Sequence, residues 1–351
     1  MSDEPAPMRL ALIAPPTATV PPSALGGLDV VRWLAEGLAD RGHEVTLIGA
    51  GLQGLTADRY AVVDTDPAAG PRAPAALADH RHAEAAGKVV DQLGVHAVGD
   101  HTRTGYLPAA DRVLTARTVY GPAAGTAGLV PQPGHVGLVA VSDQQRRHAF
   151  DTLEALLHFI GVVAPGLPFA ERPLSLEHDG PAVYVGPLLP GYGVEEAVGV
   201  AHQAGRPVVL ANTRPGAGAR AWAGARLRPL LGGGDRLLGE VSPPERWELL
   251  ATACCLLAPT WREATFSLAA VEAMACGTPV VGLVETVLAE QVRDGTSGLL
   301  ARSMADLPHA VERAAALEPA KVRAEAARRF DAAVMVVGYE ALFQRLVGAA
   351  R

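Results

Sequence analysis

The feature that most constrains this chain is a pair of apolar runs separated by a helical stretch. The first, Met8-Arg9-Leu10-Ala11-Leu12-Ile13-Ala14, is ended by Pro15-Pro16, and the second is Glu44-Val45-Thr46-Leu47-Ile48-Gly49. Short continuous apolar runs of this kind are strands buried on both faces, which occur in parallel sheets covered by helices. Between them Gly26-Gly27 precedes Leu28–Arg41, where Val30, Val31, Leu34 and Leu38 recur at helical spacing and Arg41-Gly42-His43 reads as a C-cap. A β–loop–α–β unit of this type opens a doubly wound α/β domain, whose ligands bind beyond the carboxyl ends of the strands.

At 351 residues the chain exceeds what one core usually organises, and two domains of roughly 150 to 180 residues are expected. Further strands are expected at Ala97–Val98, Ala116–Tyr120 and Leu138–Val141, then a helix whose start, Ser142-Asp143-Gln144-Gln145, reads as a capping box. Prolines 165, 168 and 173 mark Ala164–Ser175 as a linker. A second α/β series follows, with strands at Ala182–Gly186, Pro207–Ala211, Arg236–Leu238, Cys254–Ala258 and Thr278–Val284 and a helix at Val194–Gln203. Helices near Pro319–Arg328 and Ala332–Val347 close the chain, Pro319 suiting a first helical position.

Composition narrows the function classes. A net charge of -7 argues against nucleic acid as a partner. The three cysteines, Cys254, Cys255 and Cys276, have neither disulfide-framework nor zinc spacing, which fits a reducing, cytoplasmic setting. Residues 1–7 are acidic and proline-bearing and read as a disordered arm, not a signal peptide. No run reaches the ~20 uninterrupted apolar residues of a membrane span, so no membrane insertion is expected.

The densest chemistry lies between Pro259 and Val281. A helix over Ser267–Ala275 turns the backbone N–H groups of Phe266, Ser267 and Leu268 into an anion cradle, with Glu272 about one and a half turns further on. A pyrophosphate held there puts Glu272 within reach of an attached ribose, although the same glutamates also suit an ordinary solvated helix. Gly26-Gly27 permits close approach of a ligand to a helix start. It is not the dinucleotide fingerprint, because the third glycine and the acidic residue ending the second strand are absent, which disfavours a nicotinamide-dependent oxidoreductase.

In order along the chain stand Gly26-Gly27, Arg41-Gly42-His43-Glu44-Val45-Thr46-Leu47, Val141-Ser142-Asp143-Gln144-Gln145-Arg146, Tyr184-Val185-Gly186, Leu238-Gly239-Glu240-Val241, Glu263 to Val281, and Asp294-Gly295-Thr296-Ser297-Gly298-Leu299-Leu300. Over nearly its whole length this series resembles the family-4 retaining glycosyltransferases, and Glu-Ala-Met-Ala-Cys-Gly-Thr-Pro-Val-Val is its most characteristic block. The resemblance implies the GT-B fold, an α/β architecture in which two Rossmann-like doubly wound domains face an interdomain cleft. It places an acceptor-binding domain at 8–168, a nucleotide-sugar-binding domain at 176–330, and a helix at 331–351 returning to the first domain. It implies no metal and no cofactor, with UDP, GDP or dTDP carrying the donor sugar.

Carried over by position, the resemblance makes Glu272 the ribose acceptor, Glu263 a donor-sugar contact, and the Phe266, Ser267 and Leu268 backbone the phosphate site. It puts Val241 near the base, Gly186 at the donor strand end, and Gly26 and Gly27 along the diphosphate or acceptor side. The departures are specific. The family spaces its two glutamates one position closer and has glycine where Ser267 stands. Its phosphate-binding Arg and Lys correspond to Pro187 and Tyr192 here, leaving Arg262 or Arg214 as substitutes. Its first-domain histidine corresponds to Tyr120, with His101 the nearest alternative, so His101, Tyr120 and Glu263 are the catalytic candidates.

Two functions remain open at this stage. One is transfer of a sugar from a nucleotide diphospho-sugar to a small acceptor, such as an aminocyclitol or sugar in secondary metabolism. The other is a catalytically impaired or repurposed glycosyltransferase-like protein, with an unusual donor or as the binding partner of an active enzyme. A homodimer is compatible with both.

Overall fold

The computed structural model describes residues 6–16, 27–50, 52, 57–65, 75–102, 112–121, 135–151, 159–174, 177–213, 216–259 and 264–349. The chain divides into two compact units. One is built from the first strand, Leu25–Gly166 and Ala332–Arg351, the other from Leu167–Asp331. The disordered arm expected at residues 1–7 lies outside the described residues up to position 5, as do Gly26, Arg214, Arg262 and Glu263.

In the first unit β1 (Arg9–Ile13), β2 (Glu44–Gly49), β3 (Ala61–Asp64), β4 (Ala97–Asp100), β5 (Thr115–Val119), β6 (Val136–Ala140) and β7 (Phe159–Val162) form one sheet. Its order is β3-β2-β1-β4-β5-β6-β7 and every pairing is parallel. Leu10 to Ile13 are fully buried, as a strand covered on both faces requires. Helix α1 (Gly27–Asp40) ends where Gly42 takes φ +88°, the left-handed C-cap conformation that glycine adopts without strain. Helices α2 (Ala75–Leu93) and α3 (Asp143–Asp151) complete the crossovers described here.

The second unit repeats the winding. Strands β8 (Ala182–Gly186), β9 (Val208–Asn212), β10 (Arg236–Glu240), β11 (Cys255–Ala258), β12 (Val280–Leu283) and β13 (Gly298–Ala301) lie in the order β10-β9-β8-β11-β12-β13. Between and after them run α4 (Val194–Gln203), α5 (Ala217–Arg226), α6 (Pro243–Ala251), α7 (Leu268–Ala275), α8 (Leu288–Gln291), α9 (Leu307–Ala314) and α10 (Pro319–Phe330). Tyr184, Val198, Leu210, Leu257, Leu307 and Val311 belong to its core. Both sheets reverse strand order beside their first strand, between β1 and β4 and between β8 and β11, where doubly wound sheets open a ligand crevice at the strand carboxyl ends.

The boundary between the two units, after Gly166, falls inside the linker expected at Ala164–Ser175; just beyond it Leu167 and Phe169 are buried, and the Leu167 N–H donates to the Phe330 carbonyl at 3.1 Å. The last helix, α11 (Ala332–Ala349), is long and apolar enough to cross a membrane, with mean hydropathy 1.3, although charged residues interrupt it. It packs within the first unit. A Cβ on Gly37 of α1 would meet Val336 at 2.3 Å, so the two helices touch backbone to side chain. Glu340 accepts from Arg41 at 2.7 Å and from His43 at 2.9 Å. His43 Nδ1 accepts the Met8 N–H, which makes Nε2 the donor toward Glu340. Burial would raise the Glu340 carboxyl, but Arg41 and His43 outweigh it and hold it below its ordinary value.

Candidate functional site

The second unit gathers most of the predicted donor residues around the start of α7. Ser267 is its N-cap, extended at φ -108°, and its hydroxyl accepts the Ala270 N–H at 3.3 Å. The side chain of Gln291, at the end of α8, clamps the same residue: Oε1 accepts the Ser267 N–H at 2.8 Å and Nε2 donates to the Ser267 carbonyl at 3.0 Å. The expected three-amide cradle is thereby revised, because the Ser267 N–H already has an acceptor. Leu268 and Ala269 supply the first-turn amides at this helix start, where four N–H groups lack intrahelical carbonyls. Phe266 packs edge-on against Phe330 with ring centroids 5.9 Å apart.

Glu272 lies one turn deeper and is only 3% exposed, unlike a glutamate on a solvated helix. Its Oε2 is 3.2 Å from Nε of Arg246, on α6, in an ion pair between side chains exposed by 1% and 4%. A fully buried guanidinium is tolerated only when its charge is matched, and Glu272 matches it. The negative charge is felt nearby: the Cys276 thiol is pushed up to about 12, first by burial and then by Glu272. Arg246 was invisible as a site residue in the sequence. Its spacing of four from Leu250, which is fully buried, is the signal that puts it on the inner face of α6.

At the end of β8, Gly186 leaves room for the Tyr184 side chain. A Cβ there would meet the Tyr184 hydroxyl at 2.7 Å. That hydroxyl lies 3.1 Å from the Pro187 carbonyl and 3.0 Å from the Tyr192 carbonyl, tying down the segment that carries the two residues standing in for cations. Asn212, ending β9, accepts the Leu188 N–H at 3.3 Å. Val241, just after β10, is buried.

In the first unit Gly27 opens α1, and the carboxyl ends of β4 and β5 are locked together. Asp100 pairs with Arg117 at 2.8 Å, both buried, and also accepts the Thr102 N–H at 2.9 Å, which sets the turn holding His101. His101 Nδ1 lies 2.8 Å from Tyr120 Oη. The two catalytic candidates of this unit are thus hydrogen-bonded to each other, not alternatives. Expecting His101 to touch a ligand is corrected by its surroundings. It is 1% exposed, its ring lies 5.5 Å from that of Tyr339, and its Nε2 is buried without a hydrogen-bond partner. Burial lowers its pKa to about 4 despite the nearby Asp100, so the ring is neutral at neutral pH. The tautomer sets which of the two donates: Nδ1–H to the Tyr120 oxygen, or the Tyr120 hydroxyl to Nδ1.

Tyr120 itself is half-buried, and burial followed by Tyr339 raises its hydroxyl well above the ordinary value. Its backbone is held from both sides: the Gln145 amide donates to Val119 and Gly121 carbonyls, each at 2.8 Å. The capping box read at Ser142 is half present. The Ser142 hydroxyl accepts the Gln145 N–H at 3.0 Å, but the Gln145 side chain turns to the Val141 N–H instead. Thr118 and Tyr339 hydroxyls meet at 2.6 Å.

Residues 216–316 match the family described as Glycosyl transferases group 1. Over 214 residues, 49% of this chain, the sequence is 33% identical to a D-inositol 3-phosphate glycosyltransferase from Acidothermus cellulolyticus, covering 46% of it. The match therefore spans about half the length of each protein. In fold, the chain is similar over 98% of its length to AviGT4, a glycosyltransferase involved in avilamycin A biosynthesis, with TM-score 0.72, 23% identity and 99% of that chain covered. It is also similar to a sucrose-phosphate synthase from Thermosynechococcus elongatus (TM-score 0.77, 18% identity, 97% and 100% of the two chains). A third similar structure is Anabaena HepE in complex with UDP and glucose (TM-score 0.67, 16% identity, 95% and 98%). Two Rossmann-like parallel units with flanking helices, shared with these neighbours, make the fold GT-B, and the stretch from Gly216 to Ala316 carries its resemblance to group 1 glycosyl transferases.

Proposed function

We propose that this protein is a retaining glycosyltransferase that moves a sugar from a nucleotide diphospho-sugar to a small hydroxylated acceptor, as in secondary metabolism. The observation that carries this reading is the start of α7, where first-turn amides, a clamped Ser267 and the buried Glu272 stand together inside the matched segment. In this reading Leu268 and Ala269 amides hold the diphosphate, and Glu272 accepts from ribose hydroxyls. Tyr120, steadied by His101, contacts the acceptor. The acceptor oxygen bonds to the anomeric carbon as the bond from that carbon to the diphosphate oxygen breaks. The acceptor proton passes to a phosphate oxygen on the same face. The protein contributes positioning and stabilisation of leaving-group charge, with no metal.

The second reading, a chain that binds a nucleotide without transferring its sugar, draws on the Tyr184 contacts that fix Pro187 and Tyr192 where the family carries its phosphate-binding cations. Calorimetric titration with UDP, GDP and dTDP, followed by turnover assays with their sugars in EDTA, decides between the two. Turnover unaffected by chelation supports transfer, and binding without turnover of any donor supports the second reading. Failure to bind all three removes both.

A further inference from the structure

A guanidinium with 1% exposure, set beside a carboxylate one turn below a helix start, is an expensive arrangement for a site that could have been filled with apolar side chains. Arg246 is the fourth residue of α6 and Glu272 the fifth of α7. The two helices lead into the neighbouring parallel strands β11 and β12, so their starts lie at the same end of the sheet. The pair therefore lies ~6 to 8 Å below those starts, at 1.5 Å per residue.

Arg246 is also held independently of Glu272. The start of α6 is fixed by a complete capping box between Ser242 and Glu245 and by Pro243 at the first helical position. The guanidinium lies 5.8 Å from the Trp247 ring, and that ring is itself covered by Arg172 at 4.5 Å. Glu272, by contrast, hangs on a flexible side chain whose direction is set by what it meets. The guanidinium approaches Glu272 through Nε, at 3.2 Å from Oε2, and its planar, permanent charge at that fixed place biases where the carboxylate settles.

We propose that Arg246 is a positioning residue of the nucleotide site, orienting the Glu272 carboxylate toward the ribose hydroxyls of the donor. The proposal rests on the ribose reading of Glu272 given above. The test compares, by calorimetry on the full chain, UDP with 2′-deoxy-UDP and GDP with 2′-deoxy-GDP, for wild type, Glu272→Gln, Arg246→Lys and Arg246→Met. Wild type is expected to prefer a ribonucleotide by about tenfold or more, the usual worth of a hydrogen bond to a charged group. Glu272→Gln loses most of that preference. Arg246→Lys and Arg246→Met lose it too, while the affinity for the deoxy form stays within about threefold, an outcome that mere loss of stability would not produce. If Arg246→Met does not fold, Arg246→Lys decides alone, since it keeps the charge and moves it from the place where Nε approaches Glu272. Arginine variants that keep the ribose preference while Glu272→Gln loses it overturn the positioning role. A Glu272→Gln protein that keeps the preference, or a wild type that binds neither ribonucleotide, overturns the ribose reading beneath it.

Discussion

His101 Nδ1 and the hydroxyl of Tyr120 share a hydrogen bond of 2.8 Å, and this bond joins the carboxyl ends of β4 and β5. It assigns the roles: Tyr120 reaches outward and His101 acts only through it. In the transferase reading, His101→Leu should lower kcat by ~10 to 100-fold, the usual cost of losing such a supporting contact, with little change in donor KM. His101→Asn, whose side-chain amide can occupy the Nδ1 position, should recover most of the loss. In a Tyr120→Phe background His101→Leu should cost nothing further. Steady-state kinetics on the four proteins checks this, and additive losses would show that His101 acts by another route.

Acid sensitivity follows from the same burial. The folded His101 pKa of about 4 lies below the ~6.5 of an unfolded histidine, so between these values the unfolded chain binds the extra proton. Stability contributed by the neutral ring is complete above pH ~6.5 and declines as pH falls toward 4, by up to ~3 kcal/mol. His82, lowered chiefly by burial, acts in the same direction. Urea unfolding at pH 7.5 and pH 5 should show a smaller difference for His101→Asn than for wild type. An equal difference would assign the acid loss elsewhere.

Gln291 makes two buried hydrogen bonds to one peptide unit, at the Ser267 N–H and carbonyl. Gln291→Ala should destabilise the second unit by ~1 to 3 kcal/mol, since the Ser267 N–H loses its acceptor while its carbonyl keeps only the Val271 N–H. Gln291→Glu keeps the first bond, turns the second into a repulsion, and adds negative charge beside the α7 start. Its affinity for UDP should fall by about tenfold or more even where it folds normally. Thermal unfolding and calorimetry on both variants measure these effects separately.

Glycines at two positions should respond in opposite senses. A Cβ on Gly298 of β13 would come within 2.1 Å of the Val280 carbonyl oxygen, a backbone atom of the paired strand, so Gly298→Ala should cost ~3 kcal/mol or more. Gly199 of α4 has open space around the same position, and Gly199→Ala should stabilise by ~0.5 to 1 kcal/mol through helix propensity. Chemical denaturation midpoints of the two variants should move apart.

The sequence showed most clearly the elements whose burial is uniform. Strand β8 is buried at all five positions and α4 has a clear inner face, and both were legible at their observed bounds. Strands β3 and β7 were not, although Tyr60–Val63 and Phe159–Ala164 are apolar, because each strand has only four residues and none of these is buried, the pattern of a short edge strand. Helix α2 escaped notice because alanines and histidines dominate it and its first turn has no acidic residue. In the site, Ser267, Leu268 and Glu272 could be placed from the helix start alone. Their partners Arg246 and Gln291 come from other elements, and the pairing depends on how α6, α7 and α8 pack, which periodicity in one helix does not encode. His101 misled for the converse reason: a histidine at a strand end looks available until the Tyr339 and Phe343 side chains of α11 are laid against that part of the sheet.

The return of Ala332–Arg351 to the first unit has a consequence for biosynthesis. Leu167–Asp331 can finish folding as soon as it clears the ribosome, whereas Leu25–Gly166 must wait for Ala332–Arg351. Until then Thr118 lacks the Tyr339 hydroxyl, and Arg41 and His43 lack Glu340. Leu25–Gly166 is thus made before the second unit and completed after it.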